Sequence, residues 1–387
     1  MTPAARIAAA ADVLDAVLDG DTANRVLQAW GRSNRFAGSG DRRAIRDLVF
    51  TALRRRRSSA ALGGGLTGRG LMIGLLRDEG QAPEAVFTGE GHAPAAITDE
   101  ERGLWRTPEG VGEATDLPDW LVDPFREALG DSWRDTVAAL RDRAPVFLRV
   151  NLRKSDPGQA IAALSSDGVS TEPHPISTAA LVVTDGAHKV AQSTAFADGL
   201  VELQDGASQA VVDTLPLVDG QSVLDYCAGG GGKTLAMAAR AQVAVAAHDA
   251  EPRRMVDLPA RAARAGITVT RLDTAQLAAA GPFDIVLCDA PCSGSGSWRR
   301  DPEGKWALTP ARLAELTAIQ AGILDAAQAL VAPGGTLAYA TCSFLRAENE
   351  AQVDAFLART PGWRCTSQRR FGPAEGGDGF FIAHLTR

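Results

Sequence analysis

The sequence predicts an α/β protein with a doubly wound C-terminal sheet, preceded by an all-helical N-terminal domain and a small mixed α/β segment. Three observations lead to this fold class. A chain of 387 residues has room for two or three compact domains. Apolar residues recur at helical spacing near the N-terminus, and short apolar strands alternate with helical segments from about residue 206. We therefore expect domains at 1–140, 141–205 and 206–387.

The composition is that of a folded protein in a reducing compartment. Apolar residues make up 45% and charged residues 22% of the chain, which excludes an extended disordered protein. Asp12 and Asp15 interrupt the apolar N-terminus, and no apolar stretch is long enough for a membrane span. The five cysteines include no C-x-x-C pair, which argues against a disulfide framework or a zinc site. We expect a cytoplasmic monomer with no metal, signal peptide or membrane anchor.

The first 57 residues predict three helices with a basic surface. Asp21 or Thr22 can cap the second helix and Ser39 the third, in which the apolar residues between Ile45 and Leu53 form one face. Residues 1–70 contain 12 Arg but only 6 Asp and no Glu, whereas the whole chain has a net charge of −7. The run Arg54–Arg57 is therefore either a solvated helix end or a patch for RNA phosphates.

Weaker helical segments follow to about residue 143, and strands come next. Four aromatic residues recur at helical spacing, and we expect them to pack in a core rather than stack on bases: Trp105, Trp120, Phe125 and Trp133. Strands are predicted at 145–151 and 180–184, inside the short mixed segment.

From about residue 206 the pattern is that of a parallel sheet covered by helices on both faces. The predicted strands are 222–227, 243–249, 268–273, 284–289 and 336–341, and helices are expected to begin near Lys233, Pro252, Thr309 and Arg346. Ligands of such sheets bind beyond the carboxyl ends of the strands. Candidate functional residues therefore lie just after each strand.

A Gly-rich turn follows the first of these strands. The segment from Cys227 to Thr234 contains four consecutive Gly residues and then Lys233. It lacks the first Gly of a phosphate-binding GxxxxGK[ST] loop, and Thr234 stands where G-x-G-x-x-G needs its last Gly. What remains is a loop whose backbone N–H groups can face a carboxylate at a helix N-terminus, as S-adenosylmethionine would require.

Two aspartates end the next two strands. Asp249 comes about twenty positions after the Gly-rich turn, where an acidic residue can accept both hydroxyls of a ribose. Asp273 can bind the amino group of adenine. Either carboxylate can instead cap a helix, but one on each successive strand describes a site shaped for adenosine.

Two cysteines follow the fourth and fifth strands. Asp289 precedes Cys292 after the fourth strand, and Cys342 ends the fifth. Methylation at carbon-5 of a pyrimidine needs a thiol, because that carbon becomes nucleophilic only after a thiolate adds at carbon-6. Asp289 can absorb the charge that then develops at N3. The pattern alone leaves open which thiol attacks.

These segments closely resemble the RsmB/NOP family of RNA cytosine carbon-5 methyltransferases. The resemblance covers about residues 145–387 and rests on these segments: Leu148–Asn151, Gln204–Gln209, Gly231–Thr234, Asp289–Gly294, Arg299–Trp306, Ala340–Ser343 and Gly379–Ala383. Residues 5–57 resemble, more weakly, the NusB-like RNA-binding domain at the N-terminus of the bacterial small-subunit (16S) rRNA member.

The resemblance implies a Rossmann-like methyltransferase domain with S-adenosyl-L-methionine as cofactor. It makes Cys342 the nucleophile and Cys292 the residue that helps release the product, with Asp289 and Lys233 also catalytic. The implied cofactor site consists of Cys227, Ala228, Gly229, Gly230, Gly231, Gly232, Lys233, Asp249, Asp273 and Asp289. The family usually has Ala-Pro where this chain has Gly229-Gly230, which makes the loop more flexible.

The resulting hypothesis is an enzyme that makes 5-methylcytosine in RNA, with small-subunit rRNA as the expected partner. Two alternatives stay open: the same chemistry on tRNA or large-subunit rRNA, and an RNA-binding assembly factor without catalysis. Lys305 and the pair Arg299-Arg300 either hold RNA phosphates or cap helix ends.

Overall fold

The structure, a computed structural model, describes all 387 residues and divides them into two compact units. One unit consists of Met1–Arg143 and Trp298–Ala307, and the other of Ala144–Ser297 and Leu308–Arg387. The segment Trp298–Ala307 thus lies outside the unit in which the sequence placed it. No helix combines the length and the apolar character that a membrane span requires.

The first unit is entirely helical, as its apolar spacing predicts. Its helices are α1 (Pro3–Leu18), α2 (Ala23–Ser33), α3 (Ser39–Arg54), α4 (Arg56–Gly63), α5 (Gly68–Asp78), α6 (Asp99–Gly103), α7 (Gly110–Ala114), α8 (Asp119–Leu129) and α9 (Trp133–Ala139). The first begins where Thr2 accepts a hydrogen bond from the Ala5 amide, with Pro3 at the first helical position. Of the four aromatics expected in a core, Phe125 and Trp133 are buried as predicted, whereas Trp105 and Trp120 are only partly buried.

The run Arg54–Arg57 at the end of α3 forms neither a freely solvated helix end nor an open patch for RNA phosphates, the two alternatives that the sequence suggested. Arg54 is buried. Arg55 forms ion pairs with Asp78 and Asp142, 3.0 Å each, and Arg57 pairs with Asp119 at 2.7 Å. Carboxylates of the same unit therefore pair with two of these four arginines, which the sequence pattern could not reveal.

The segment Trp298–Ala307, which contains α16 (Pro302–Ala307), packs into the helical unit. The ring of Trp298 is buried and stacks on that of Phe125, with centroids 5.8 Å apart. Trp306 donates an indole hydrogen bond to the carbonyl of Leu53, 2.7 Å. These aromatic contacts explain why the segment belongs to this unit.

Lys305 has a structural environment that excludes contact with RNA phosphates. Its side chain is 1% exposed, and its Nζ donates to the carbonyl of Arg54 at 2.9 Å. Arg54 in turn donates to the carbonyl of Arg299 at 2.6 Å. Burial lowers the pKa of Lys305 to about 7. Of the two roles expected for Lys305, binding of RNA phosphates is wrong. Its bond to the carbonyl of Arg54, the last residue of α3, is the contact at a helix end that the other alternative predicts.

The second unit begins with a small antiparallel sheet of order β2-β3-β1-β4. Its strands are β1 (Phe147–Val150), β2 (Ser170–Pro173), β3 (Ala180–Asp185) and β4 (Val201–Leu203), with α10 (Pro157–Ser166) and α11 (Thr194–Ala197) between them. Every residue of β1 is buried, and the strand pairs with β3 on one side and β4 on the other. The strands expected at 145–151 and 180–184 are both present.

A seven-stranded sheet of order β10-β11-β9-β8-β5-β6-β7 forms the rest of this unit. Its strands are β5 (Ser222–Asp225), β6 (Ala244–Ala247), β7 (Thr270–Arg271), β8 (Phe283–Asp289), β9 (Val331–Thr341), β10 (Arg364–Phe371) and β11 (Phe380–Thr386). Strands β5 to β9 pair in parallel, and β11 and β10 add antiparallel to one edge. The helices are α12 (Gly206–Asp213), α13 (Gly232–Arg240), α14 (Leu258–Ala265), α15 (Leu277–Ala280), α17 (Pro310–Ala327) and α18 (Glu350–Arg359).

Helices cover both faces of this sheet, which confirms the doubly wound fold. Val223 and the next residue, Leu224, enter two different apolar cores, as do Ile285 and Val286. Such alternation places one core on each face, because successive strand side chains point to opposite sides.

Three predicted elements differ from the observed ones. The helix expected near Pro252 is a 3₁₀ turn, and the α-helix starts at Leu258. The helix expected near Arg346 likewise starts at Glu350. The strand expected at 268–273 is reduced to Thr270–Arg271, because it is the edge strand and pairs only with β6.

Candidate active site

The loops after β5, β6, β8 and β9 meet at the carboxyl edge of the large sheet. In the strand order, β8 lies between β5 and β9, and β6 flanks β5 on its other side. Side chains that follow these strands are therefore neighbours in space although they are far apart in the sequence. All but one of the predicted site residues lie on or directly after these four strands; the exception, Asp273, follows β7.

The Gly-rich loop between β5 and α13 has a backbone conformation that depends on glycine. Gly229 has φ +50° and Gly231 has φ +80°, and a Cβ on Gly231 would lie 2.2 Å from a Leu258 methyl carbon. Arg149, buried in the small sheet, donates to the carbonyl of Gly232 at 2.7 Å. The loop is thus fixed at the start of α13.

Side chains support the Gly229-Gly230 pair that departs from the family pattern. Arg261 donates a hydrogen bond to the carbonyl of Gly230. A Cβ on Gly230 would approach the same guanidinium to 2.9 Å. The arginine therefore occupies space that a larger residue would need.

Asp249 holds the Gly-rich loop against the end of β6. It is 4% exposed. Its Oδ2 accepts a hydrogen bond from the Gly229 amide and its Oδ1 one from the Glu251 amide, both 2.9 Å. Arg254 lies 3.4 Å from the same carboxylate. Asp249 thus holds the backbone of the Gly-rich loop in place, and it lies beside the loop where the sequence predicted a contact with ribose.

Asp273 is exposed and caps the turn that follows β7. Its Oδ1 accepts a hydrogen bond from the Gln276 amide at 3.0 Å, and the Gln276 side chain accepts one from the Asp273 amide at 2.9 Å. No side-chain hydrogen bond or ion pair joins it to the other predicted site residues. One oxygen of this carboxylate remains available for a ligand.

Asp225 is a site residue that the sequence reasoning did not assign. It ends β5, is 1% exposed, and accepts a 2.6 Å hydrogen bond from the Thr234 hydroxyl through Oδ2. Its Oδ1 is buried without a hydrogen-bond partner. Burial raises the pKa of Asp225 to about 7. An unpaired carboxylate oxygen beside a Gly-rich helix start fits a ligand that carries N–H donors, as S-adenosylmethionine does.

Lys233 and Asp289 form an ion pair between the Gly-rich loop and β8. Lys233 Nζ lies 2.7 Å from Asp289 Oδ2, with side chains 8% and 29% exposed. Nζ also lies 4.5 Å from the centre of the Phe380 ring. Burial opposes the charge on Lys233, but the charge and hydrogen bond of Asp289 outweigh it, so the pKa of Lys233 is raised. Lys233 is therefore a stable cation inside the site.

The thiols of Cys292 and Cys342 lie side by side. Their Sγ atoms are 3.4 Å apart. The hydrogen bond to Cys342 and then burial raise the pKa of Cys292 well above its ordinary value. Cys292 therefore keeps its proton and can donate it to the Cys342 sulfur. Both cysteines are unoxidised and partly exposed.

Two further cysteines, Cys288 and Cys227, lie in β8 and after β5. Cys288 is fully buried inside β8, as predicted for a core residue, and burial raises its pKa. Cys227 follows β5, and burial with the neighbouring Cys288 raises its pKa as well. Neither thiol pairs with another.

A buried glutamate connects the two cysteine loops. Glu348 is fully buried, and its Oε1 accepts hydrogen bonds from the Ser293 amide at 2.7 Å and from Gln320 Nε2 at 3.1 Å. Its Oε2 accepts from the hydroxyls of Ser293 and Ser343, 2.5 Å each. Because each serine directly follows a cysteine, this one carboxylate joins the two loops that carry the thiols.

Asn349 strengthens the same connection. Its Nδ2 donates to the carbonyl of Ser343 at 2.8 Å, and its Oδ1 accepts from the Thr341 hydroxyl at 2.5 Å. Sequence reasoning missed Glu348 and Asn349, because no motif marks them. Their position a few residues after Cys342, before an amphipathic helix, was the only available signal.

Comparison with known proteins gives a consistent result. The family described as 16S rRNA methyltransferase RsmB/F matches residues 212–386, and the ferredoxin-like domain of RsmF/B-like methyltransferases matches residues 117–190. The ribosomal RNA small subunit methyltransferase B of Salmonella arizonae is 37% identical over 284 residues, covering 70% of this chain and 66% of the relative. The match thus spans just under two thirds of that relative's length.

Solved structures share the fold. PH0851 superimposes with a TM-score of 0.77 at 22% identity and covers 100% of this chain and 99% of its own. NSun6 from Pyrococcus horikoshii, solved with SFG, gives a TM-score of 0.61 at 18% identity, with coverages of 70% and 98%. At these identities the likeness concerns the fold alone.

Proposed function

Because the chain belongs to the RsmB/F methyltransferase family, we propose that it transfers a methyl group from S-adenosylmethionine to carbon-5 of a cytosine in RNA. Small-subunit rRNA is the proposed substrate, since the relative from Salmonella arizonae is named for that RNA. The single observation that carries the proposal is the pair of thiols 3.4 Å apart beside the Lys233–Asp289 ion pair.

S-adenosylmethionine is the methyl donor of this family, and its sulfonium supplies an electrophilic methyl group. The Gly-rich loop and Asp225 would hold its amino-acid end, because that end combines a carboxylate for backbone N–H groups with an ammonium for a buried carboxylate. Asp249 would accept the ribose hydroxyls, and Asp273 would accept the adenine amino group. The remaining wall of the cofactor site would consist of Asp289 and the loop from Cys227 to Lys233.

The first proposed chemical step is addition of the Cys342 thiolate to carbon-6 of the cytosine. The new carbon–sulfur bond pushes electrons towards N3, where Asp289 holds the ring. A proton shared by the Lys233–Asp289 pair neutralises that charge, and carbon-5 becomes an enamine carbon. Its attack on the methyl group would break the sulfur–methyl bond of the donor, which would leave as the neutral thioether S-adenosylhomocysteine. Cys292 is the weaker candidate for attack, because its raised pKa keeps it protonated.

Product release reverses the addition. The carbon-5 proton leaves to solvent, the carbon–sulfur bond breaks, and the N3 proton returns to the Lys233–Asp289 pair. Cys342 departs as a thiolate, and the adjacent Cys292 thiol stabilises it by donating a hydrogen bond across the 3.4 Å separation. In this proposal the two cysteines serve different steps.

The test uses small-subunit rRNA from cells with and without the gene. Bisulfite sequencing should reveal one cytosine that is protected only when the gene is present. In vitro, Cys342→Ala should abolish both methylation and any covalent RNA adduct. Cys292→Ala should instead accumulate a protein–RNA species that survives denaturing electrophoresis, because the first step proceeds and elimination stalls.

A double variant provides the matched control and should form no adduct. An adduct held by Cys292 in the Cys342→Ala protein would reverse the assignment of the two thiols. Protected cytosines only in tRNA or large-subunit rRNA would keep the chemistry and replace the substrate. Cofactor binding with no protected cytosine in any RNA would refute the proposed activity.

A further inference from the structure

The helical unit carries a group of exposed arginines that have no carboxylate partner. They lie on α2, on α3 and in the turn between them: Arg32, Arg35, Arg42, Arg43 and Arg46. None of them takes part in an ion pair, in contrast to Arg55 and Arg57. This part of the basic N-terminus therefore keeps its positive charge at the surface.

Nearby carboxylates do not neutralise this group, because each of them has another partner. Asp21 pairs with Arg25. Asp41 pairs with the N-terminal ammonium at 3.2 Å, and Asp47 lies 3.0 Å from Arg143. The unbalanced charge is thus a property of the folded surface and not only of the sequence.

These two helices enclose a groove of about 450 Å³. Its lining combines cations, amide side chains and one indole: Asn24, Leu27, Gln28, Trp30, Gly31, Arg32, Arg42 and Arg46. The Arg42 side chain lies along the α2 backbone at Gly31, where a Cβ would be in ordinary contact with Arg42 Nη1 at 3.6 Å. The volume falls within the range of roughly 300–1,000 Å³ that suits a small ligand or a single unit of a polymer.

An aromatic side chain is exposed beside these cations. Phe36, in the turn between α2 and α3, is 75% exposed, and Trp30 is only partly buried against the helical core. Exposed aromatic rings among unpaired arginines are the combination that holds single-stranded nucleic acid. Arginines contact phosphates, and flat side chains stack on unpaired bases.

We propose that the groove between α2 and α3, with Phe36 at its turn, is a binding site for single-stranded RNA. The proposal deepens the proposed function, since it names the surface that holds the RNA substrate outside the catalytic unit. Asn24 and Gln28 supply donors and acceptors for base edges. Arg32, Arg42 and Arg46 supply the charge for the backbone.

The first test measures salt dependence. The full-length protein, without cofactor, is titrated into a short fluorescein-labelled single-stranded RNA at several KCl concentrations, and anisotropy gives Kd. The triple variant Arg32→Gln, Arg42→Gln, Arg46→Gln should have a plot of log Kd against log[KCl] shallower by about 2, since each phosphate contact on a single strand contributes about 0.7.

A matched triple control removes the same charge from paired arginines of the same unit: Arg102→Gln, Arg106→Gln and Arg126→Gln, whose partners are carboxylates. This control should keep the wild-type slope. Equal flattening in both triple variants would show that only net charge matters and would overturn the site. An unchanged slope in the groove variant would overturn it as well.

The second test separates stacking from charge. Phe36→Ala should weaken binding about 5- to 150-fold with an unchanged salt slope, because it removes a ring and no cation. Because Phe36 is 75% exposed, its removal should leave the fold intact, and equal thermal unfolding of variant and wild type checks this. Unchanged affinity would exclude stacking at this turn.

Two further outcomes distinguish this proposal from a protein-binding groove and from the proposed catalytic function. In the first, the groove variant binds naked RNA as tightly as the wild type but binds small-subunit particles more weakly. That result would assign the groove to a protein partner and overturn the RNA site. Groove-dependent RNA binding in a chain that methylates no RNA would support the site and refute the proposed catalytic function.

Discussion

Glu348 offers the sharpest test of how the two cysteines are positioned. Its carboxylate accepts four hydrogen bonds, two of them from groups of Ser293 and one from the Ser343 hydroxyl. We predict that Glu348→Gln lowers kcat for methyl transfer while the affinity for S-adenosylhomocysteine stays unchanged. The substitution keeps the size of the side chain and removes its charge.

The magnitude follows from the four contacts. A Gln oxygen in place of Oε1 can still accept from the two N–H donors, while its NH₂ group must donate to the two serine hydroxyls. All four bonds to the carboxylate change from charge-assisted bonds of about 1.5–3 kcal/mol to neutral bonds of about 0.5–1.5 kcal/mol, so roughly 1 kcal/mol per bond, or about 4 kcal/mol in all, is lost. Glu348→Ala removes the acceptor of all four donors. Gln320 Nε2 keeps the Pro291 carbonyl at 3.0 Å and the two serine hydroxyls keep each other at 3.3 Å, so the cost of about 1–3 kcal/mol for an unpaired donor falls mainly on the Ser293 amide.

The assay compares kcat, KM and cofactor affinity of Glu348→Gln with those of Glu350→Gln. Glu350 is the matched control, since its carboxylate pairs with Arg370 at 2.5 Å and not with the cysteine loops. A displacement of either thiol by about 1 Å is enough to lower kcat about 100-fold. Wild-type kcat in Glu348→Gln, with only a lower Tm, would refute the positioning role.

Two more predictions concern the cofactor site and the buried lysine. Asp273→Ala should weaken S-adenosylhomocysteine binding about 10- to 100-fold by calorimetry, and Asp273→Ser, which keeps the cap but not the carboxylate, should weaken it equally; full recovery in the serine variant would leave Asp273 only a capping role. Because folding lowers the pKa of Lys305 to about 7, the unfolded chain binds the extra proton between that pH and about 10.4. Stability from urea unfolding should therefore rise relative to Lys305→Met by up to about 1.4 kcal/mol per pH unit in this window, and parallel curves would contradict a depressed pKa.

The strand ends of the seven-stranded sheet could be predicted because short apolar runs in the sequence mark where each strand ends. A parallel sheet collects the residues that follow its strands at one edge, so Asp289, Cys292 and Cys342 were expected to lie near one another. The strand order that places β8 beside β9 then brings the two sulfur atoms to 3.4 Å. The residue that joins the two loops, Glu348, is marked by no motif.

The charges of the helical unit could not be predicted in the same way. Arg54 and Lys305 look like surface cations in the sequence, yet Lys305 donates to the carbonyl of Arg54 across 251 positions of the chain. Composition counts a buried arginine and an exposed one equally. Only the fold separates the arginines that pair internally, such as Arg57, from those such as Arg43 that do not.

The chain path has a consequence for any experiment that removes the helical unit. The polypeptide passes between the units after Arg143, again after Ser297 and again after Ala307, so the helical unit is complete only when Trp298–Ala307 is present. Deletion of residues 1–140 would leave the rings of Trp298 and Trp306 without their partners and would expose apolar surface next in sequence to the Cys292 loop. Lost activity in such a truncation would therefore not report on RNA binding. Substitutions of exposed side chains on α2 and α3 leave both units intact, and they alone separate recognition of the substrate from the integrity of the loop that carries the thiol.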